Sequence, residues 1–134
     1  TLTTVNPSSG VASVEATSMA SMKSITVVPY GMDMSGAASG IKFHVSDNNG
    51  VSYDSGTTFT NTNNTTPAGF IQIYMTDNAS SGKRGYWLKD STDDLEIVTI
   101  TSVTGVINAV KFSLTHGSAT FSGSNNYFYV YGGN

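Results

Sequence analysis

The chain reads as an all-β protein: an antiparallel β-sandwich or jelly roll of about eight to ten strands with little or no helix. Three observations predict it. Apolar residues recur with a period of two in run after run, the mark of half-buried strands. Turn residues interrupt these runs every ~8 to 12 residues, the spacing of a sandwich. No stretch of ~12 residues or more carries a 3.6-residue period. The nearest candidates, 19–24 and 93–98, are too short.

The first ten residues read as an N-terminal arm, with Asn6-Pro7 favouring a turn. Residues 11–134 then form a single domain, within the size one core supports. Val11 to Ala16 alternates as a first short strand. Lys23 to Tyr30 is a second, with Ile25, Val27 and Pro29 on one side. Pro29 cannot donate to a ladder, so this strand ends there or lies on an edge. Gly31 to Gly40 is a small-residue loop holding Met32 and Met34.

Ile41 to Gly56 is the clearest hairpin. Ile41, Phe43 and Val45 face one way, and Lys42, His44 and Ser46 the other. Asp47-Asn48-Asn49-Gly50 supplies the turn, and Asn-Gly is a strong hairpin signal. Gly50 is expected at positive φ, where glycine meets no steric penalty. Val51 and Tyr53 restart the alternation as a second strand. Ser46 to Tyr53 also resembles the Asp-box hairpin of sialidase propellers, S-x-D-x-G-x-[ST]-aromatic, with Asn48 in place of the usual Asp. That motif stabilises a hairpin and carries no catalysis.

Thr57 to Thr66 reads as a strand end and an exposed loop. Phe70 to Thr76 sets Phe70, Gln72, Tyr74 and Thr76 against Ile71, Ile73 and Met75. Asp77 to Gly82 is a turn, and Gly85 to Asp90 a strand. Ser91 to Asp94 is an acidic turn. Leu95 to Val103 and Val106 to Leu114 are joined at Thr104-Gly105, and Ala119 to Ser122 is short. Tyr127 to Tyr131 closes the sheet. Its three tyrosines, Tyr127, Tyr129 and Tyr131, share one face, and Phe128 and Val130 share the other.

Composition narrows the function. Ser, Thr, Gly and Asn number 19, 18, 14 and 11 of the 134 residues, whereas charged residues make up only 11%. About a quarter is usual for the charged share. Few charges with many hydroxyls and amides fit an extracellular or particle-surface β protein. A net charge of −3 with no basic block speaks against nucleic acid. No apolar run approaches the ~18 to 20 residues of a membrane span. No cationic stretch followed by an apolar one opens the chain, which predicts no signal peptide. Thr1 in the first position suggests trimming. The absence of cysteine excludes a disulfide framework and a thiolate nucleophile or metal site.

No catalytic constellation emerges. His44 and His116 are the only histidines, and both lie off the apolar phase of their strands. Both read as exposed surface residues without a carboxylate at ligand spacing. Asp90, Asp93, Asp94 and Glu96 form the densest acidic group, and Asp47, Asn48, Asn49 and Asp54 a second oxygen-rich one. Calcium needs six to eight oxygens arranged in a loop. Neither group has an EF-hand spacing, and both read as solvated turns. The expectation is no catalytic residue, no metal and no cofactor. Trp87, with Tyr53, Tyr74, Tyr86 and the C-terminal tyrosines, could instead form a sugar-stacking platform. Tyr86 and Trp87 are adjacent and face opposite sides of the sheet, so one of them is expected at the surface. Core packing is the more ordinary use of such alternation.

Three pieces taken together carry a resemblance: SVEA at 13–16, VSDNNGVSYDSG at 45–56 and INAVKFSLTHGSATFSGSNNYFYVYGGN at 107–134. They resemble the small β-sandwich virion proteins of tailed bacteriophages, especially marine and cyanobacterial ones. Those have an S-x-D-G-G-x-x-Y-D hairpin, a V-N-A-I-x-F-x-x-x-S-G strand pair and a closing x-L-Y-G strand. Val110-Lys111-Phe112 and Tyr131-Gly132 fill the latter positions, and Asn49 stands where the first glycine is common. The Met-rich segment 18–34 departs from the pattern. The resemblance implies a non-enzymatic virion protein. A head-decoration, or cement, protein that binds and stabilises the capsid lattice is the first expectation. Its partners would be the major capsid protein or another virion protein and copies of itself, with a trimer favoured, and no nucleic acid or membrane. A receptor- or carbohydrate-binding module of a tail fibre or spike, using Trp87, is the alternative. The C-terminal tyrosine face is the expected interface: Tyr127, Tyr129 and Tyr131.

Overall fold

The computed structural model describes residues 2–31, 33–36, 39–58, 69–89, 95–124 and 126–133. In chain order the strands are β1 (Leu2–Val5), β2 (Ser13–Ala16), β3 (Ser24–Tyr30), β4 (Met34–Ser35), β5 (Ile41–Ser46) and β6 (Thr57–Thr58). They continue as β7 (Gly69–Tyr74), β8 (Lys83–Lys89), β9 (Leu95–Ile100), β10 (Ala109–Leu114), β11 (Thr120–Phe121) and β12 (Tyr127–Gly133). There is no helix among the described residues. Three strands, β4, β6 and β11, are two residues long, too short for alternation to reveal them.

The fold is an antiparallel β-sandwich, as the period-two runs predict. One sheet has six strands in the order β1-β12-β3-β7-β8-β9. The other has four, β2-β10-β5-β6, and β4 pairs with β11 beside them. Alternation puts Ile25 and Val27 of β3, Ile71 and Ile73 of β7, and Phe128 and Val130 of β12 on the inner face of the first sheet. Ile41, Phe43 and Val45 of β5 and Val110 and Phe112 of β10 answer them from the second. All of these are buried. The sheets meet where the rings of Phe112 and Phe128 stack at 3.9 Å, with Phe43 and Phe121 against them. Burying each such ring contributes on the order of 1.5–3 kcal/mol.

Some segments depart from the simple alternation. The 1–10 stretch read as an arm carries β1, whose Leu2 to Val5 pair with Tyr131 to Phe128, and Val5 is buried. Pro29 lies in the middle of the sheet. There β12 still pairs with β3, whereas β7 pairs only with Ser24 to Val27, so Pro29 sits where the β7 side is open. Met75 leaves the inward phase of β7 because its backbone turns left-handed, φ 59°. It becomes exposed, and Thr76 is buried instead, with its hydroxyl donating to the Met22 carbonyl.

The second arm of the central hairpin is not a strand. Val51 stands 86% exposed, and residues 47–56 fold into a compact loop. Side-chain bonds within the segment explain the loop. The Ser46 hydroxyl accepts from the amides of Asn48 (3.2 Å) and Gly50 (3.0 Å) and donates to Asn48 Oδ1 (2.7 Å). Asn48 Oδ1 also accepts from the Ser52 amide at 3.0 Å. These local bonds compete with a ladder and win. Gly50 has φ 86° and Asn49 58°, the left-handed turn that the Asn-Gly pair predicts.

Candidate interaction face

The outer face of the six-stranded sheet is built by strand register. On β12, Phe128 and Val130 point inward, so Tyr127, Tyr129 and Tyr131 point out. The β12–β3 register sets Tyr127 opposite Tyr30, Tyr129 opposite Val28 and Tyr131 opposite Thr26. On the other side β1 places Leu2 opposite Tyr131. The rings form a stripe. Tyr127 and Tyr129 lie nearly parallel at 6.0 Å, Tyr131 follows at 6.5 Å from Tyr129, and Tyr30 is 6.4 Å from Tyr129.

A second aromatic cluster lies on the same face beyond β3, whose outward Ser24, Thr26 and Val28 separate the two. Phe70, Gln72 and Tyr74 of β7 pair with Leu88, Tyr86 and Arg84 of β8. Leu88 and Tyr86 in turn pair with Leu95 and Ile97 of β9. The hydroxyls of Tyr74 and Tyr86 lie 2.8 Å apart, and both donate toward Gln72 Oε1 (2.9 and 2.8 Å). Tyr30, Leu2, Tyr131, Leu95 and Ile97 are all exposed. Arg84 is the one charged residue among the described outward positions of this sheet.

The opposite face is different in kind. There Lys111 lies between Glu15 and His44, and Lys42 pairs with Ser113. The Tyr53 hydroxyl donates to Glu15 Oε2 at 2.8 Å, and the Lys111 ammonium sits 4.5 Å over the Tyr53 ring. Interface cores are depleted in charge and enriched in Tyr and Phe. The aromatic face has that composition and the charged face does not.

The sequence-level candidates therefore separate. The three C-terminal tyrosines share a face with Tyr74 and Tyr86, but Tyr53 lies in the loop over the other sheet. Tyr30, Phe70, Leu95 and Ile97 join the face only through strand order, and alternation within each strand was the one signal available for them. Trp87 is corrected. It points inward between Ile71 and Glu96, is 5% exposed, and donates its indole N–H to Glu96 Oε2 at 2.8 Å. A buried indole offers no stacking surface to a sugar, and Tyr86 is the member of the pair that faces out.

His44 is also corrected. It lies on the outward phase of β5, as alternation requires, but it is buried. The 47–56 loop folds back over it. A Cβ on Gly56 would lie 2.4 Å from the imidazole, and Tyr53 meets the ring edge-on at 6.4 Å. Its Nδ1 lies 3.0 Å from the Asp54 carbonyl and its Nε2 2.8 Å from the Ser113 hydroxyl. His116 is exposed, as expected, and caps its own turn at Ser118. Asp90, Asp93 and Asp94 lie outside the described residues. In the second oxygen-rich group the oxygens serve separate backbone donors: Gly105 N to Asp47, Ser52 N to Asn48, Ser18 N to Asn49 and Val45 N to Asp54. Among the described residues, no three His, Asp or Glu side chains converge as a metal site would need.

Burial holds the His44 pKa below its ordinary 6.5, helped by Lys111 and Lys42 and opposed by the Asp54 carbonyl bond and carboxylate. The folded state therefore binds this proton less readily than the unfolded chain. Stability is full above about pH 6.5 and falls as pH drops through the lowered folded-state value. Thermal unfolding of the wild type should shift to lower temperature between about pH 7 and pH 5. His44→Gln should flatten that slope. Equal slopes in the two proteins would remove His44 as its origin.

Neither a protein-family model nor a curated protein sequence matches this chain. What fold and site define is a class: an antiparallel β-sandwich with one charged outer face and one aromatic outer face nearly free of charge.

Proposed function

We propose that this chain is a non-enzymatic protein of the tailed-phage particle, a head-decoration or cement protein. It binds the capsid lattice and its own copies through the outer face of the six-stranded sheet. The observation that carries the reading is the contrast between the two outer faces. A sheet whose outer face carries exposed Tyr30, Tyr74 and Tyr131 and half-buried Tyr86, Tyr127 and Tyr129 with a single charge has the makeup of a covered surface. Tyr is suited to such a role, with an apolar body and a hydroxyl that finds a partner. A closed symmetric oligomer or a capsid subunit would bury the face. The sparse charge and the resemblance of segments 45–56 and 107–134 to phage virion proteins support the same reading.

Tyr129 sits at the centre of the stripe and is the expected anchor. Tyr129→Ala should weaken self-association or particle binding by roughly 1 to 3 kcal/mol, the range of an interface anchor. Analytical ultracentrifugation and a capsid-binding assay measure the two. A variant that sediments and binds particles like the wild type would overturn the reading.

A further inference from the structure

Beyond the tyrosine stripe, β9 offers a second contact of a different kind. It ends the six-stranded sheet, and among the described residues no strand lies along its far side. Its sequence, LEIVTI, contains no lysine, no proline and one charge, Glu96. Natural edge strands are normally blunted by Lys, Pro, bulges or shortness, because unpaired N–H and C=O groups recruit another strand. In the second sheet the edge strand β6 follows that rule, being two residues long. On β9, by contrast, Leu95 and Ile97 are 60% and 84% exposed.

We propose that β9 pairs antiparallel with β9 of a second copy, about a two-fold axis through Ile97. The axis follows from side-chain phase. A slip of one residue would set outward residues beside inward ones, so the axis must pass through a residue, not between two. An axis at Glu96 places two carboxylates directly opposite, which is destabilising. An axis at Val98 leaves Ile97 facing Thr99 and Leu95 facing Thr101. An axis at Ile97 sets the two isoleucines against each other, Leu95 against Thr99 and Glu96 against Val98. The outer row then runs from Tyr86 through both Ile97 side chains to Tyr86 of the second copy. Five facing pairs bury less than the ~1,200 Å² of a stable complex. The dimer is therefore reversible and concentration-dependent.

The absence of cysteine makes the register directly testable. Directly opposed Cβ atoms lie about 4.5–5.5 Å apart, within small adjustment of a disulfide. Under mild oxidation Ile97→Cys should form a covalent dimer at least tenfold faster than Val51→Cys, an equally exposed loop control at 86%. Leu95→Cys alone should match the control, and a mixture of Leu95→Cys with Thr99→Cys should exceed it. In the Tyr129→Ala background, where the tyrosine face is already weakened, Ile97→Lys should still weaken concentration-dependent dimerisation at least tenfold. Equal rates at 97 and 51, or faster coupling at 95 than at 97, would overturn the proposal, as would unchanged sedimentation on adding Ile97→Lys in that background. Tyr129→Ala should leave the Ile97→Cys rate unchanged, which separates this contact from the tyrosine face.

Discussion

Lys83→Met is expected to cost the fold about 3 to 5 kcal/mol, the range for breaking a buried charged arrangement. Lys83 opens β8 and has no exposed surface. Its ammonium donates to three backbone carbonyls: Asn78, Ser81 at 2.9 Å and Thr104 at 3.2 Å. An ammonium has three donors, so each is matched. Burial lowers its pKa, and the nearby carboxylates of Asp47 and Asp77 act in the opposite direction. The side chain thus ties the 77–82 turn to the loop before β10. Methionine keeps the length but leaves carbonyls without donors, each costing about 1–3 kcal/mol where water cannot reach. Lys83→Arg should not rescue, because a planar fork cannot aim at three converging carbonyls as a compact ammonium does. Denaturant titration measures the loss. A change under ~1 kcal/mol would show that the cage is dispensable.

Gly85→Ala is expected to be at least as damaging, with a loss of about 3 kcal/mol or more, or failure to fold. Gly85 pairs with Ile73 in the middle of the β7–β8 ladder. A Cβ there would lie 1.8 Å from the Gln72 carbonyl oxygen and 2.8 Å from the Ile73 Cα. Both are backbone atoms, so no rotamer change relieves the clash and the strands must part. The contrast is Gly132, where the obstacle is the flexible Met22 side chain. Gly117→Ala is the control, since its Cβ would meet nothing within 4 Å. It should stay within about 0.5 kcal/mol of the wild type. Equal stabilities of the alanine variants at 85 and 117 would contradict the close strand approach.

β7, β8 and β9 form a meander whose outer side presents Phe70, Tyr74, Tyr86, Leu95 and Ile97. Water gives these side chains little support, so their positions depend on the strands beneath. Gly85 lets β7 and β8 approach, and Lys83 anchors the turn between them.

Period-two alternation was enough to read the all-β class, most of the strands and the inward set Ile25, Val27, Ile41, Phe43, Phe128 and Val130. That follows because the side-chain period of a strand is local and needs no partner. The Asn49-Gly50 turn was legible for the same reason. The outward phase of Tyr127, Tyr129 and Tyr131 followed once Phe128 and Val130 were assigned to the core. What lies above an outward residue is not local. His44 has the outward phase, yet the 47–56 loop covers it, because Ser46 and Asn48 fold that loop back in place of a second strand. Trp87 and Tyr86 could not be told apart until β8 was seated between β7 and β9. Tyr30 stands beside Tyr129 only because β12 returns to lie next to β3, almost a hundred residues later in the chain. Lys83 finds Thr104 in the same way. Alternation says which side of its own strand a residue occupies. Strand order and loop closure decide which residues share that side and whether water reaches them, and both are set by contacts distant in sequence.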